Sequence, residues 1–126
     1  MESTKYKIVK EFISACNKLN IETMIKYIHP EIEFINIADG EENAHAKGVD
    51  EFKEMAKISL GIFEERKQKI LSYEENEDKI NVVIKFRGKL SVDLPNVLEA
   101  GDILEMKGES IFTFENNLII SLIDKS

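Results

Sequence analysis

The chain has 126 residues, 43% hydrophobic and 33% charged, with a formal net charge of -7, which fits one domain over 1–126 with a real core. The acidic balance argues against nucleic acid as a partner, since phosphate recognition needs basic patches, and against an anionic membrane surface. One cysteine, Cys16, leaves no intrachain disulfide and fits a reducing cytoplasm, and the start of the chain shows neither a signal peptide nor a membrane span; a cytoplasmic location is expected.

Apolar residues at Ile8, Val9, Phe12, Ile13, Cys16 and Leu19 recur at three-four spacing and predict an amphipathic helix over 3–19, capped by Ser3 or Thr4. Asn20 is placed to cap a short second helix, because its side-chain oxygen can accept a first-turn N–H. Ile21, Met24, Ile25 and Ile28 form that helix's apolar face, and Pro30 ends it. From Ile32 the period becomes two, with Ile32, Phe34 and Asn36 on one face of a strand and Glu33, Ile35 and Ile37 on the other. Residues 39–47 are polar and read as a loop, with room for a short strand over 44–47. After Gly48 a third helix is expected, its face carrying Phe52, Met55, Ala56, Ser59, Ile62 and Phe63, with Gly61 inside it.

The second half reads as strands over 67–74, 80–94, 104–114 and 118–124. Pro95, Gly101 and Asn116-Asn117 supply the turns. On the strand from Leu104, the apolar parity of Leu104, Met106, Gly108, Ser110, Phe112 and Phe114 is assigned inward, and Glu105, Lys107 and Glu109 outward. In the last strand both parities are apolar, so alternation does not choose between Leu122 with Asp124 and Ile119 with Ser121. Helices first and antiparallel strands after give an α+β domain, helices packed on one sheet face.

The capped Asn20-Ile21-Glu22 helix, the His29-Pro30-Glu31-Ile32-Glu33-Phe34 corner, Gly48 opening a helix and the closing Phe112-to-Ile120 hairpin resemble the nuclear-transport-factor-two-like superfamily, in its SnoaL-like and ketosteroid-isomerase-like branch. The resemblance spans nearly the whole chain. It implies a curved antiparallel sheet wrapped around about three helices, a cone with a deep apolar pocket, and a homodimer through the outer sheet face. The isomerases of this branch place a tyrosine on the first helix, an aspartate base at the end of the first strand and an aspartic acid on a late strand. The matching positions are Phe12, Asn36 and Ser110. None supplies the base or the acidic donors of that oxyanion hole, so the resemblance implies the fold without steroid isomerisation.

The pocket lining expected on this basis is Phe12, Cys16, Phe34, Phe86, Met106, Ser110, Phe112 and Leu122. Asn36, His45 and Asp124 are the candidates for chemistry. Asn36 would position a carbonyl or a water. Asp124, a carboxylate in apolar surroundings, would serve as acid or base. His45, expected at the pocket rim, could shuttle protons near neutral pH. Each has a structural alternative: a strand-end amide, a solvated residue near the chain end and an exposed loop histidine. His29 is read as closing the second helix, and Cys16 as a small core residue. The acidic run Asp39, Glu41 and Glu42 beside His45 matches no strong ligand pattern, so neither metal nor cofactor is expected.

Two functions follow. One is a small-molecule protein that takes an apolar or carbonyl-containing ligand, with cofactor-independent proton transfer of the isomerase, cyclase or hydratase kind. The other is a non-catalytic interaction or dimerisation module, its cone filled by Phe12, Phe34, Phe86, Phe112 and Phe114. Whether the cone is open discriminates them.

Overall fold

A computed structural model describes residues 2–94 and 98–126. Helix α1 (Thr4–Asn17) is capped by Ser3, whose side chain accepts from the Tyr6 N–H. Helix α2 (Ile21–Lys26) is capped by Asn20 through the Thr23 N–H at 3.1 Å. The strands are β1 (Ile28–Ala38), β2 (Glu41–Lys47), then, after helix α3 (Gly48–Gly61), β3 (Phe63–Asn76), β4 (Lys79–Leu90), β5 (Ile103–Glu115) and β6 (Leu118–Lys125). They form one six-stranded sheet in the order β2-β1-β6-β5-β4-β3.

Several expectations are corrected. The sheet is mixed: β6 inserts between β1 and β5 and runs parallel to β1, while the other pairs are antiparallel. The short strand allowed over 44–47 is present but starts earlier, at Glu41, where a loop is expected. Its polar side chains suit an edge strand, and Asp39 and Gly40, both at positive φ (52° and 79°), make the tight hairpin turn that joins it to β1. β1 begins at Ile28, so Pro30 and His29 lie within a strand. The β1–β6 register slips between Ile28 and Glu33, which excuses Pro30 from the ladder. The His29 ring accepts from the Glu31 N–H at 3.0 Å and meets Glu115 at 3.3 Å. Helix α3 ends at Gly61, with Ile62 capping it and Phe63 opening β3. β4 ends at Leu90 rather than at residue 94. Gly101 turns at φ 92°, and the expected turn at Pro95 lies outside the described residues.

The core fills the end of the cone where α1 crosses the sheet. Val9, Ile32, Ile80, Val82 and Ile119 are fully buried there with Phe112 and Phe114. The ambiguity of β6 has a physical cause. Thr113 pairs with Ser121 but Phe114 pairs with Ile119, so Ile120 is an extra residue, a β-bulge. The bulge turns Ile119 and Leu122, of opposite parity, to the same buried face. Asn116 and Asn117, at φ 53° and 61°, close the β5–β6 hairpin with the left-handed geometry that asparagine tolerates.

Candidate functional site

Beyond the core the concave face opens into a cavity of about 350 Å³. Phe12, Cys16, Phe34, Phe86, Met106, Ser110, Phe112 and Leu122 all line it, as do Asn36 and Asp124. The phenyl rings meet at edges: Phe12 lies 5.8 Å from Phe112, Phe34 5.9 Å from Phe52 and Phe63 5.1 Å from Phe86, centroid to centroid. They border the space without closing it.

Strand register explains the polar cluster. Asn36 of β1 pairs with Asp124 of β6, which pairs with Ser110 of β5, so the three residues occupy one cross-strand row. The bulge at Ile120 sets this row, because Asp124 shares the parity of Leu122. Ser110 is buried, and its hydroxyl donates to Asp124 Oδ1 at 2.6 Å. Burial pushes the Asp124 carboxyl above the ordinary carboxylate range, while the Ser110 hydrogen bond and the Arg66 charge pull it back, as expected for a carboxyl enclosed by apolar groups. The Asn36 amide donates to Asn43 Oδ1 at 2.7 Å, which fixes the side chain and holds the β1–β2 hairpin.

Arg66 carries the charge that the sequence reading missed. Asn17 at the end of α1 grips β3: its Oδ1 accepts from the Gln68 N–H at 2.7 Å, and its Nδ2 donates to the Gln68 carbonyl at 3.1 Å. Arg66, two residues away on the same parity, lines the cavity with Gln68. Its Cζ lies 5.8 Å from the Phe63 ring and 5.2 Å from the Phe86 ring, a cation–π bracket. Burial lowers its pKa, though a guanidinium remains charged at neutral pH. In the sequence Arg66 sits in the run Glu64-Glu65-Arg66-Lys67-Gln68-Lys69, which reads as a solvated face. The alternation of Arg66, Gln68 and Ile70 was the available signal. Cys16 also lines the cavity, with burial pushing its thiol up to about 12, so it stays a neutral thiol rather than a nucleophile.

His45 is not brought to this site. Alternation along β2 turns Ala44 to the cavity and His45 away from it, where its ring meets Glu33 at 2.9 Å and Glu42 at 3.8 Å. Among the described residues no group of three or more His, Cys, Asp or Glu could hold a metal ion, and no described helix is long and apolar enough to cross a membrane.

No family model matches the chain, and no curated protein matches it. Solved structures do. A SnoaL-like protein from Jannaschia sp. CCS1, described as a candidate polyketide cyclase, matches with a TM-score of 0.83 at 12% identity, over 98% of this chain and 85% of that one. A candidate polyketide cyclase from Acidithiobacillus ferrooxidans matches with a TM-score of 0.81 at 20% identity, over 98% and 88%. A protein of ketosteroid isomerase-like fold from Catenulispora acidiphila DSM 44928, in complex with trimethylamine, matches with a TM-score of 0.78 at 14% identity, over 94% and 83%. With its mixed sheet and three helices, the chain shares the α+β cone fold of these SnoaL-like and ketosteroid isomerase-like structures.

Proposed function

We propose that this protein binds a small, largely apolar ligand carrying a carbonyl group in the cavity, and that Asp124 exchanges a proton with it without a cofactor. The observation that carries the reading is the Ser110–Asp124 pair, 2.6 Å apart, facing an apolar hollow beside Arg66. A carboxyl whose burial favours the neutral form is suited to donate a proton to a carbonyl oxygen, and in its ionised form to take one from an adjacent carbon. Ser110 orients it, and Arg66 supplies positive charge toward developing negative charge on the ligand. Asn36 is tied to Asn43, so its part is to shape the row rather than to polarise the substrate. The open hollow of about 350 Å³ favours this reading over an interaction module with a cone filled by phenylalanines, and a few convergent polar groups in an apolar pocket are the usual character of a ligand site.

The test is native mass spectrometry of freshly purified protein, followed by denaturation and identification of released small molecules. A co-purifying carbonyl compound is expected. A protein that emerges free of any small molecule and also fails to bind a panel of aromatic carbonyl compounds contradicts the reading. The same spectrum counts subunits and so tests a homodimer through the outer sheet face, where Ile103 is exposed and Arg87 pairs with Glu105 at 3.1 Å.

A further inference from the structure

Arg66 presents a charge that no ion pair among the described residues neutralises, Asp124 acting on it only at a distance. Its Nε is sealed from solvent and has no hydrogen-bond acceptor. Arg87, on the outer face, has Glu105 at 3.1 Å, whereas Arg66 forms no ion pair among the described residues. Four ionisable groups on neighbouring elements line the cavity with it. Cys16 of α1 is a neutral thiol. Asp124 of β6 bonds to Ser110 and is held toward its neutral form by burial. Glu109 of β5 and Lys125 of β6 also line the cavity but bring charges of opposite sign. A cation buried without a counter-ion is costly. The rings of Phe63 and Phe86 offset part of that cost. A ligand carboxylate would offset the rest, since guanidinium and carboxylate match in geometry and charge.

We propose, building on the ligand-cavity reading, that the natural ligand is a flat monoanion, an aromatic or conjugated carboxylate, whose negative group docks on Arg66 while its apolar body lies against the aromatic lining. The bracket of Phe63 and Phe86 is part of the design. It holds the guanidinium in place and lets the charge remain in an apolar wall until the ligand arrives. Gly88 makes the bracket possible: a Cβ there would meet Phe63 Cδ1 at 2.6 Å and Phe86 Cε1 at 3.0 Å, so glycine leaves the space in which the two rings meet.

Isothermal titration at pH 7 with three matched pairs tests this: benzoate and benzamide, cinnamate and cinnamamide, 2-naphthoate and 2-naphthamide. Each pair holds shape nearly constant and changes charge. In the best-fitting pair the wild-type protein should bind the carboxylate at least about tenfold more tightly than the amide. Arg66→Met should erase that preference while keeping amide binding, and Arg66→Lys should keep part of it. An amide bound as well as its carboxylate by the wild type overturns the proposal and leaves the ligand cavity standing. So does a carboxylate preference that survives in Arg66→Met, because the anion would then dock elsewhere. Failure of every member of every pair to bind overturns both the proposal and the reading it rests on. The wild-type ratio alone decides the matter if Arg66→Met does not fold.

Discussion

One sheet builds two unlike ends. At the narrow end Ile80 and Val82 of β4, Phe112 and Phe114 of β5 and Val9 of α1 are buried in one core cluster, with Phe112 at its border with the cavity. Further along the same strands, Ile84 and Phe86 of β4 and Leu104 and Met106 of β5 line a hollow, and Met106 is 41% exposed. The residues are apolar at both ends, so hydrophobicity does not separate them. What differs is the cover. Helix α1 lies over the narrow end, and its clasp on β3 comes at its last residue, Asn17. Helix α3 stops at Gly61 and hands the chain to β3. The wide end therefore keeps rings that touch at their edges, and the polar groups there have no reason to be excluded. A sealed end supplies stability, and an open end can hold a charge and a carboxyl that a packed core would not tolerate.

The sharpest way to break this comparison is to cut one ring from each end. Phe112→Ala removes a side chain that is 1% exposed and should lower stability by about 3–5 kcal/mol, the range for a buried phenylalanine. Phe86→Ala, at a partly buried ring in the cavity wall, should cost less, about 1–2 kcal/mol. Urea unfolding of both variants checks the pair, and equal losses would mean that the wide end is packed core. Glycine substitutions sharpen it further. A Cβ at Gly108 would meet the Lys125 carbonyl oxygen at 2.6 Å, which only a backbone shift relieves, so Gly108→Ala should cost about 1–3 kcal/mol. Gly88→Ala meets ring atoms at the open end that can swing into the hollow, and should cost less in the same urea measurement.

The smallest effect is a matter of sign. Asp124 holds its proton more firmly in the folded chain than in the unfolded one, because burial raises its pKa. The folded state then binds more protons, so the Asp124 contribution to stability falls as pH rises from the ordinary carboxylate range through the raised value. Below that window the contribution is unpenalised. Asp124→Asn cannot ionise and can still accept from Ser110. Its Tm should match the wild type in acid and exceed it at neutral pH, as thermal unfolding at several pH values will show. A wild type favoured at neutral pH would mean an ionised, paired carboxylate.

The elements of the fold were largely legible. Asn20 capped its helix because its oxygen had an N–H to meet, and Asn116-Asn117 turned because both residues tolerate left-handed geometry. The first half of edge strand β2 was not legible, since an exposed strand needs no apolar alternation and Glu41-Glu42-Asn43 reads as loop, although a short strand over 44–47 was. The place of β6 beside β1 was also hidden: a parallel contact between chain-distant strands leaves no local signature. At the site, parity placed Ser110 and Phe112, but the row that joins Ser110 to Asp124 depends on one bulged residue, Ile120, within an apolar run. Arg66 was hidden for a different reason. A cation inside a charged run looks solvated until the strand's inward parity is known. His45 failed conversely, because a loop residue at a rim became a strand residue facing away.

The most direct test of the account is the titration of the Asp124 carboxyl carbon, followed by carbon-13 NMR in the wild type with Asp124→Asn as the assignment control. The account predicts that it titrates above the ordinary carboxylate range in the free protein, and that 2-naphthoate perturbs its chemical shift. An Asp124 that titrates at or below the ordinary value, and whose shift does not respond to the ligand, would contradict a proton-holding group in a ligand cavity.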